Sequence, residues 1–425
     1  MTSNDATWRG SPSNATLKNA IASLVPMGTT FVATTLLARG TDPSNFGVWA
    51  FFSTSVALIQ ALDLGINATL TNRALLAESL HEVVRWLRVA LIADLVLTLV
   101  VVGALGGTLL WGTRSFVPWA PGSHKSSIVV CASSLLIATL WANCATAAIR
   151  AIGNFSAVLV SICVGQAAYL AGFVALAATH RLSVSSALVV QAVSLSLTLA
   201  FTLAVLKFWD GPRKLNFLAT VSSVRVFARR VWGTNISGAV VSYAPTVVCA
   251  PLLGSHTFGV FALGSSLALA LRAMPLVLVA PLQRKLASAV GHVSEVRSID
   301  RRWTLGLLIY SPFACGGVVV LCHLIGGSRY AAAAWPALLL VVGHMMALTT
   351  AICTVERRLK GSPRRETVLS ALAAILFIGM VVPLTIELRA SGPGIALIIS
   401  QAVFSIFMRL GWHSTLEREL HLEAA

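Results

Sequence analysis

Arg272 lies fifteen residues into an apolar run, within LALALRAMPLVLVAP, far from any polar boundary. A guanidinium at that depth must pair with protein or receive an anionic group from outside, because a charge facing hydrocarbon costs several kcal/mol. Arginine suits a phosphate partner, which it grips through two parallel N–H bonds. Asp63 and Asp94 form a second constellation, each inside an apolar run and about seven residues from the same end of it. Two carboxylates held close together share a proton, which would suit proton or cation coupling. Held apart, each is a hydrogen-bond acceptor in helix packing. Lys18 and Arg39 bracket the first apolar run. They are interfacial anchors or cations at the base and mouth of a pathway.

The stretch that must position Asp63 runs from Phe46 to Asn72, FGVWAFFSTSVALIQALDLGINATLTN. Read as a helix, it places Ser53, Gln60, Asp63 and Asn67 at spacings of seven, ten and fourteen, on one face. A polar stripe in lipid must turn toward protein or water. Gln60 and Asn67 are therefore candidates for substrate contact in a polar interior. Ser265 and Gln283 share the Arg272 face at spacings of seven and eleven.

Composition sets the class. Of 425 residues 11% are charged and 56% hydrophobic, with a mean hydropathy of +0.83, values outside the range of soluble globular chains. The reading is an all-α polytopic membrane protein. Twelve apolar segments, near 17–39, 45–70, 88–111, 126–149, 155–179, 183–207, 231–253, 257–282, 303–326, 331–354, 367–387 and 392–411, are each about twenty residues long, enough to span a bilayer. No removable signal peptide is expected. The net charge of +16 sits in short loops instead of a stripe or tail, which argues against a nucleic-acid partner. Arg39, Arg114, Lys125, Arg181, Arg329 and Arg389 fall on one side and nearly all other basic residues on the opposite side. That asymmetry predicts two cytoplasmic termini in a multi-pass inner-membrane protein. The seven cysteines all lie in apolar runs without a CxxC pair and read as packing residues.

The chain divides into a cytoplasmic N-terminal segment (1–16), an N-lobe (17–207), a basic cytoplasmic linker (208–230), a C-lobe (231–411) and a cytoplasmic C-terminal tail (412–425). The lobes are internally related. Phe258-Gly259-Val260-Phe261-Ala262 opens the eighth segment as Phe46-Gly47-Val48-Trp49-Ala50 opens the second, 212 positions earlier. With six spans in each half, the repeats are parallel. The same displacement makes Arg272 the counterpart of Gln60.

Enzyme signatures are missing. His81-Glu82 does not complete HExxH, and neither GxxxxGK nor GxSxG occurs. No loop exceeds about 25 residues, too short to house a soluble catalytic domain, and no cofactor is expected.

The pattern LKNAIASLVPMGTTFVATTLLAR, a short turn, FGVWAFF and then ALDLGINATLTNRALL resembles the start of bacterial lipid-linked polysaccharide flippases of the O-antigen type. These belong to the multidrug/oligosaccharidyl-lipid/polysaccharide exporter superfamily. The run HTFGVFALGSSLALALRAMPLVLVAPL is similar to the matching part of the family's second half. The resemblance implies two six-helix lobes around a V-shaped cavity open alternately to either side. It implies an isoprenoid-diphosphate-linked oligosaccharide moved from the inner to the outer leaflet, with Arg272, Arg39 and Lys18 receiving the diphosphate. It also implies membrane lipids and a polysaccharide polymerase or other assembly proteins as partners. The chain departs from its relatives in having one deep cation. The alternative is a cation-coupled drug or metabolite exporter of the same superfamily, relying on Asp63 and Asp94. A membrane-embedded glycosyltransferase or polymerase fits less well.

Overall fold

A computed structural model describes residues 15–61, 66–67, 70–71, 74, 77, 79–110, 125–210, 238–289, 292–360 and 364–424. Each predicted segment contains helix among the described residues, with bounds that differ from the expected ones. In chain order these are α1 (Ala15–Gly40), α2 (Pro43–Ala61), α3 (Leu80–Leu110), α4 (Lys125–Ala151), α5 (Phe155–Ala178) and α6 (Val184–Val205). The second half supplies α7 (Gly238–Cys249), α8 (Ser255–Ala289), α9 (Val293–Gly326), α10 (Ala334–Leu348), α11 (Ala351–Leu359), α12 (Arg364–Leu388) and α13 (Gly392–Ala424). Among the described residues there is no strand. Eight stretches, two of them holding more than one helix, are long and apolar enough to cross a membrane.

The chain forms two compact units, Met1–Thr41 with Val48–Asn235, and Asp42–Gly47 with Ile236–Ala425. The first six residues of the α2 approach thus belong with the second half. Within the first unit α3 packs on α4, α4 on α6 and α5 on α6; within the second, α9 packs on α10, α10 on α13 and α12 on α13. The parallel repeat seen in the FGV pentamers therefore extends to helix pairing. Of the predicted basic linker, only Phe208–Asp210 lies among the described residues, as a 3-10 turn. Arg88 holds it, donating to the Phe208 carbonyl at 2.6 Å with its guanidinium over the Phe208 ring.

Small residues let the helices of the first unit approach closely. A methyl on Gly165 of α5 would collide with Thr198 and the Ser194 carbonyl of α6, and one on Gly172 with Val190. Lipid offers no hydrophobic drive between helices, so such close packing and interhelical hydrogen bonds supply cohesion.

The tenth predicted segment, expected as one span over 331–354, is interrupted. It opens as a 3-10 turn, Gly327–Ala333, and breaks again at Thr349–Thr350, between α10 and α11. The carbonyls freed at the second break are met by side chains. Ser405 donates to Met346 at 3.0 Å, Trp303 Nε1 to Leu348 at 2.9 Å and Arg409 to Thr349 at 2.5 Å. An interrupted helix survives in lipid only where its loose backbone is satisfied in this way. The threonine hydroxyls compete for the same ladder, Thr349 bonding back to Met346 and Thr350 to Ala347.

Arg409 also reaches Asp300 at 3.3 Å and Thr304 at 3.0 Å, tying α13 to α9. Lys360 pairs with Glu356 at 2.7 Å, Trp412 Nε1 donates to the same carboxylate at 3.1 Å, and Arg357 donates to the Gly411 carbonyl at 3.0 Å. Several basic residues that read as topology signals are thus also structural ties within the second unit.

Candidate functional site

Arg272 sits midway along α8, within the stretch Ser255–Val279, which is long and apolar enough to cross a membrane. Its side chain is half-buried. Nη1 donates to Ser242 Oγ of α7 at 2.5 Å, while Nε is buried without a hydrogen bond among the described residues. Tyr243 of α7 and His344 of α10 lie within electrostatic range of the guanidinium. Arg272 forms no ion pair with any described carboxylate. One turn-pair toward the helix start, Ser265 bonds to Thr246 at 3.1 Å, joining α8 to α7. Tyr310 of α9 donates to the Leu271 carbonyl at 2.8 Å and clamps the backbone beside Arg272. Gln283, expected on the same face, has a side chain outside the described residues.

His344 escaped the sequence reading. It is 2% exposed, and its Nδ1 has no hydrogen-bond partner among the described residues. The only signal was a single imidazole in WPALLLVVGHMMAL. Such a residue usually packs silently, and its nearness to Arg272 depends on how α8 and α10 meet.

The remaining predicted residues belong to the first unit, where polar side chains mostly serve packing. Asp94 is fully buried and accepts from Cys144 Sγ of α4 at 2.9 Å; that cysteine is a hydrogen-bond donor as well as a packing residue. Lys18 donates to Ser156 of α5 at 2.8 Å. Arg39 is exposed in the last turn of α1, where a cation complements the helix dipole. Twenty-one residues apart on one helix, Lys18 and Arg39 stand about 31 Å from each other and cannot grip one head group together. Ser53 donates to Gln191 of α6 at 3.3 Å, and Thr29 of α1 bonds Gln166 of α5. Gln60 is half-buried with no hydrogen bond among the described residues. Asn67 is helical and half-buried. Asp63 lies outside the described residues, so its approach to Asp94 is a matter of sequence alone.

No protein-family model and no curated protein sequence matches this chain. Solved structures do match. A multidrug resistance MATE family transporter of the MOP superfamily, in an inward-facing conformation, superposes with a TM-score of 0.74 at 14% identity, over 94% of this chain and 99% of that one. The lipid II flippase MurJ, in an inward closed conformation, gives 0.73 at 9% identity, over 92% and 86%. A Vibrio cholerae MATE transporter gives 0.63 at 13% identity, over 95% and 96%. The chain has the fold of the MATE transporters and of MurJ. The MATE/MurJ fold agrees with the two-lobed helical architecture read from the segment count and the repeat. That fold embraces both a drug transporter and a lipid flippase.

Proposed function

We propose that the protein is an alternating-access flippase for an isoprenoid-diphosphate-linked oligosaccharide, carrying it from the cytoplasmic to the outer leaflet for surface polysaccharide assembly, with both termini cytoplasmic. One observation carries this reading: Arg272 is a membrane-embedded cation with no anionic partner among the described residues. A diphosphate head supplies the missing anion. It also needs such help, since its charges do not cross hydrocarbon unaided. Ser242 accepts from the guanidinium, and the grip on phosphate must be weak enough to release. Gln60, the repeat-equivalent of Arg272, offers amide contacts to sugar.

The cation-coupled exporter draws support from the MATE likeness. It relies on Asp63 and Asp94, of which Asp94 is fully buried and accepts from Cys144, while Asp63 lies outside the described residues.

Reconstitution in liposomes tests the proposal. A fluorescent isoprenoid-diphosphate oligosaccharide and a membrane-impermeant quencher follow transbilayer movement in wild type and Arg272→Ala. Accelerated movement lost in the variant is expected. No movement of any lipid-linked sugar, together with proton-dependent efflux of a small cation, would transfer the case to the exporter.

A further inference from the structure

A second feature of the second unit lies outside the Arg272 cluster. Along α8 and α9 a cavity of about 400 Å³ is lined by Met274, Leu278, Leu282, Trp303, Leu307 and Tyr310, with Arg302 and Gly306 completing the α9 side. The volume falls in the range of small-molecule sites. Apart from Arg302 and the two aromatic polar atoms its lining side chains are hydrocarbon or thioether, and those two atoms are engaged, Trp303 Nε1 with Leu348 and Tyr310 with Leu271. Water gains little in such a space. Met274 is 53% and Leu278 59% exposed, so the groove opens at the protein surface. It opens beside the bare apolar face of Leu305, Leu308 and Ile309 on α9.

One end is cationic. Arg302 is exposed and makes no hydrogen bond or ion pair among the described residues; the same holds for Arg301 one residue earlier. Arg297, a turn and a half back, has a buried Nε without a partner among the described residues. The acid nearest in sequence, Asp300, is already bonded to Arg409. From Arg302 to Tyr310 the groove follows α9 for about 12 Å, most of the depth of one leaflet in a core about 30 Å thick. The Tyr310–Leu271 bond closes the far end.

We infer that this groove binds an anionic glycerophospholipid, one acyl chain lying between α8 and α9 and the phosphate resting on Arg302. An amphiphile matches apolar walls, an unpaired cation lining the rim and one-leaflet length together. The inference does not depend on which substrate the protein transports.

Lipid binding to the purified full chain in neutral detergent tests this. Phosphatidylglycerol and phosphatidylcholine are compared by native mass spectrometry, and acyl-brominated phosphatidylglycerol reports contact with Trp303 as the quenching lost in Trp303→Phe. Wild type should retain phosphatidylglycerol about tenfold better than phosphatidylcholine, whose choline ammonium offsets the phosphate charge beside Arg302. Arg302→Gln should erase that preference while leaving quenching in place. Gly306→Leu, which fills space now open around Gly306, should abolish the Trp303 quenching and provides a check that keeps every cation. Equal retention of the two lipids by wild type, a preference surviving in Arg302→Gln, or unchanged quenching in Gly306→Leu would each overturn the assignment. So would displacement of phosphatidylglycerol by a lipid-linked oligosaccharide, which would give the groove to the transported lipid instead.

Discussion

Gly47 and Gly259, equivalent positions of the internal repeat, touch each other. A Cβ on Gly47 would stand 3.1 Å from the Gly259 Cα and backbone nitrogen, and one on Gly259 would run into the Pro43 carbonyl. Phe46 adds an edge-on contact with Tyr330, centroids 6.0 Å apart, and Ser44 bonds to Ser255 at 3.3 Å. The Asp42–Gly47 segment is seated in the second unit by this contact. The glycines recur in the two pentamers because neither position has room for a side chain.

Gly259→Ala should therefore destabilise the protein by about 1–3 kcal/mol, the usual cost of overpacking, read as a lower thermal midpoint in detergent. Gly47→Ala should cost less, since its neighbours stand at 3.1 Å and can give slightly. Gly28→Ala, with nothing within 4 Å, should be neutral or stabilising by up to about 1 kcal/mol through helix propensity.

At the candidate site, Arg272→Ala should slow transbilayer movement of the diphosphate-linked lipid by about ten- to a hundredfold, the span of one charge-assisted hydrogen bond. Arg272→Lys should fall between wild type and Ala, because an ammonium keeps the charge but not the planar fork. Ser242→Ala leaves the charge and should cost only a few-fold. Equal activity in Arg272→Ala and wild type would remove the site.

His344→Leu separates packing from function. Removing an imidazole whose Nδ1 is buried without a partner should leave the thermal midpoint unchanged or raised. Transport should drop all the same, since His344 lies within electrostatic range of Arg272. A variant that transports normally would make His344 a core residue only.

Asp94→Asn should fold and transport, because the amide oxygen still accepts from Cys144. Strong loss of transport with intact folding would instead point to a coupling carboxylate and favour the exporter.

Asp300→Asn and Arg409→Ala should each lower the thermal midpoint, by about 2–3 kcal/mol in stability, since the ion pair between α9 and α13 is lost. The double variant should be less destabilised than the sum of the two, a coupling read from a double-mutant cycle.

Amino-acid sequence alone determined the membrane class, the positions of the helices and the twofold repeat. Those properties follow from hydrocarbon thickness, which demands runs of about twenty apolar residues wherever the chain crosses, and from the recurrence of FGV 212 positions apart. Arg272 was legible for the same reason, as a charge where lipid tolerates none. Its surroundings were not. Apolar segments carry weak helical periodicity when all faces are hydrophobic, so nothing in the chain says which face of α10 meets α8. Only tertiary packing brought His344 and Ser242 to Arg272, set Cys144 against Asp94, and opened a groove between α8 and α9. The break at Thr349 was equally hidden, because a helix can stop in lipid only when side chains from distant helices, here Trp303, Ser405 and Arg409, arrive to satisfy its carbonyls.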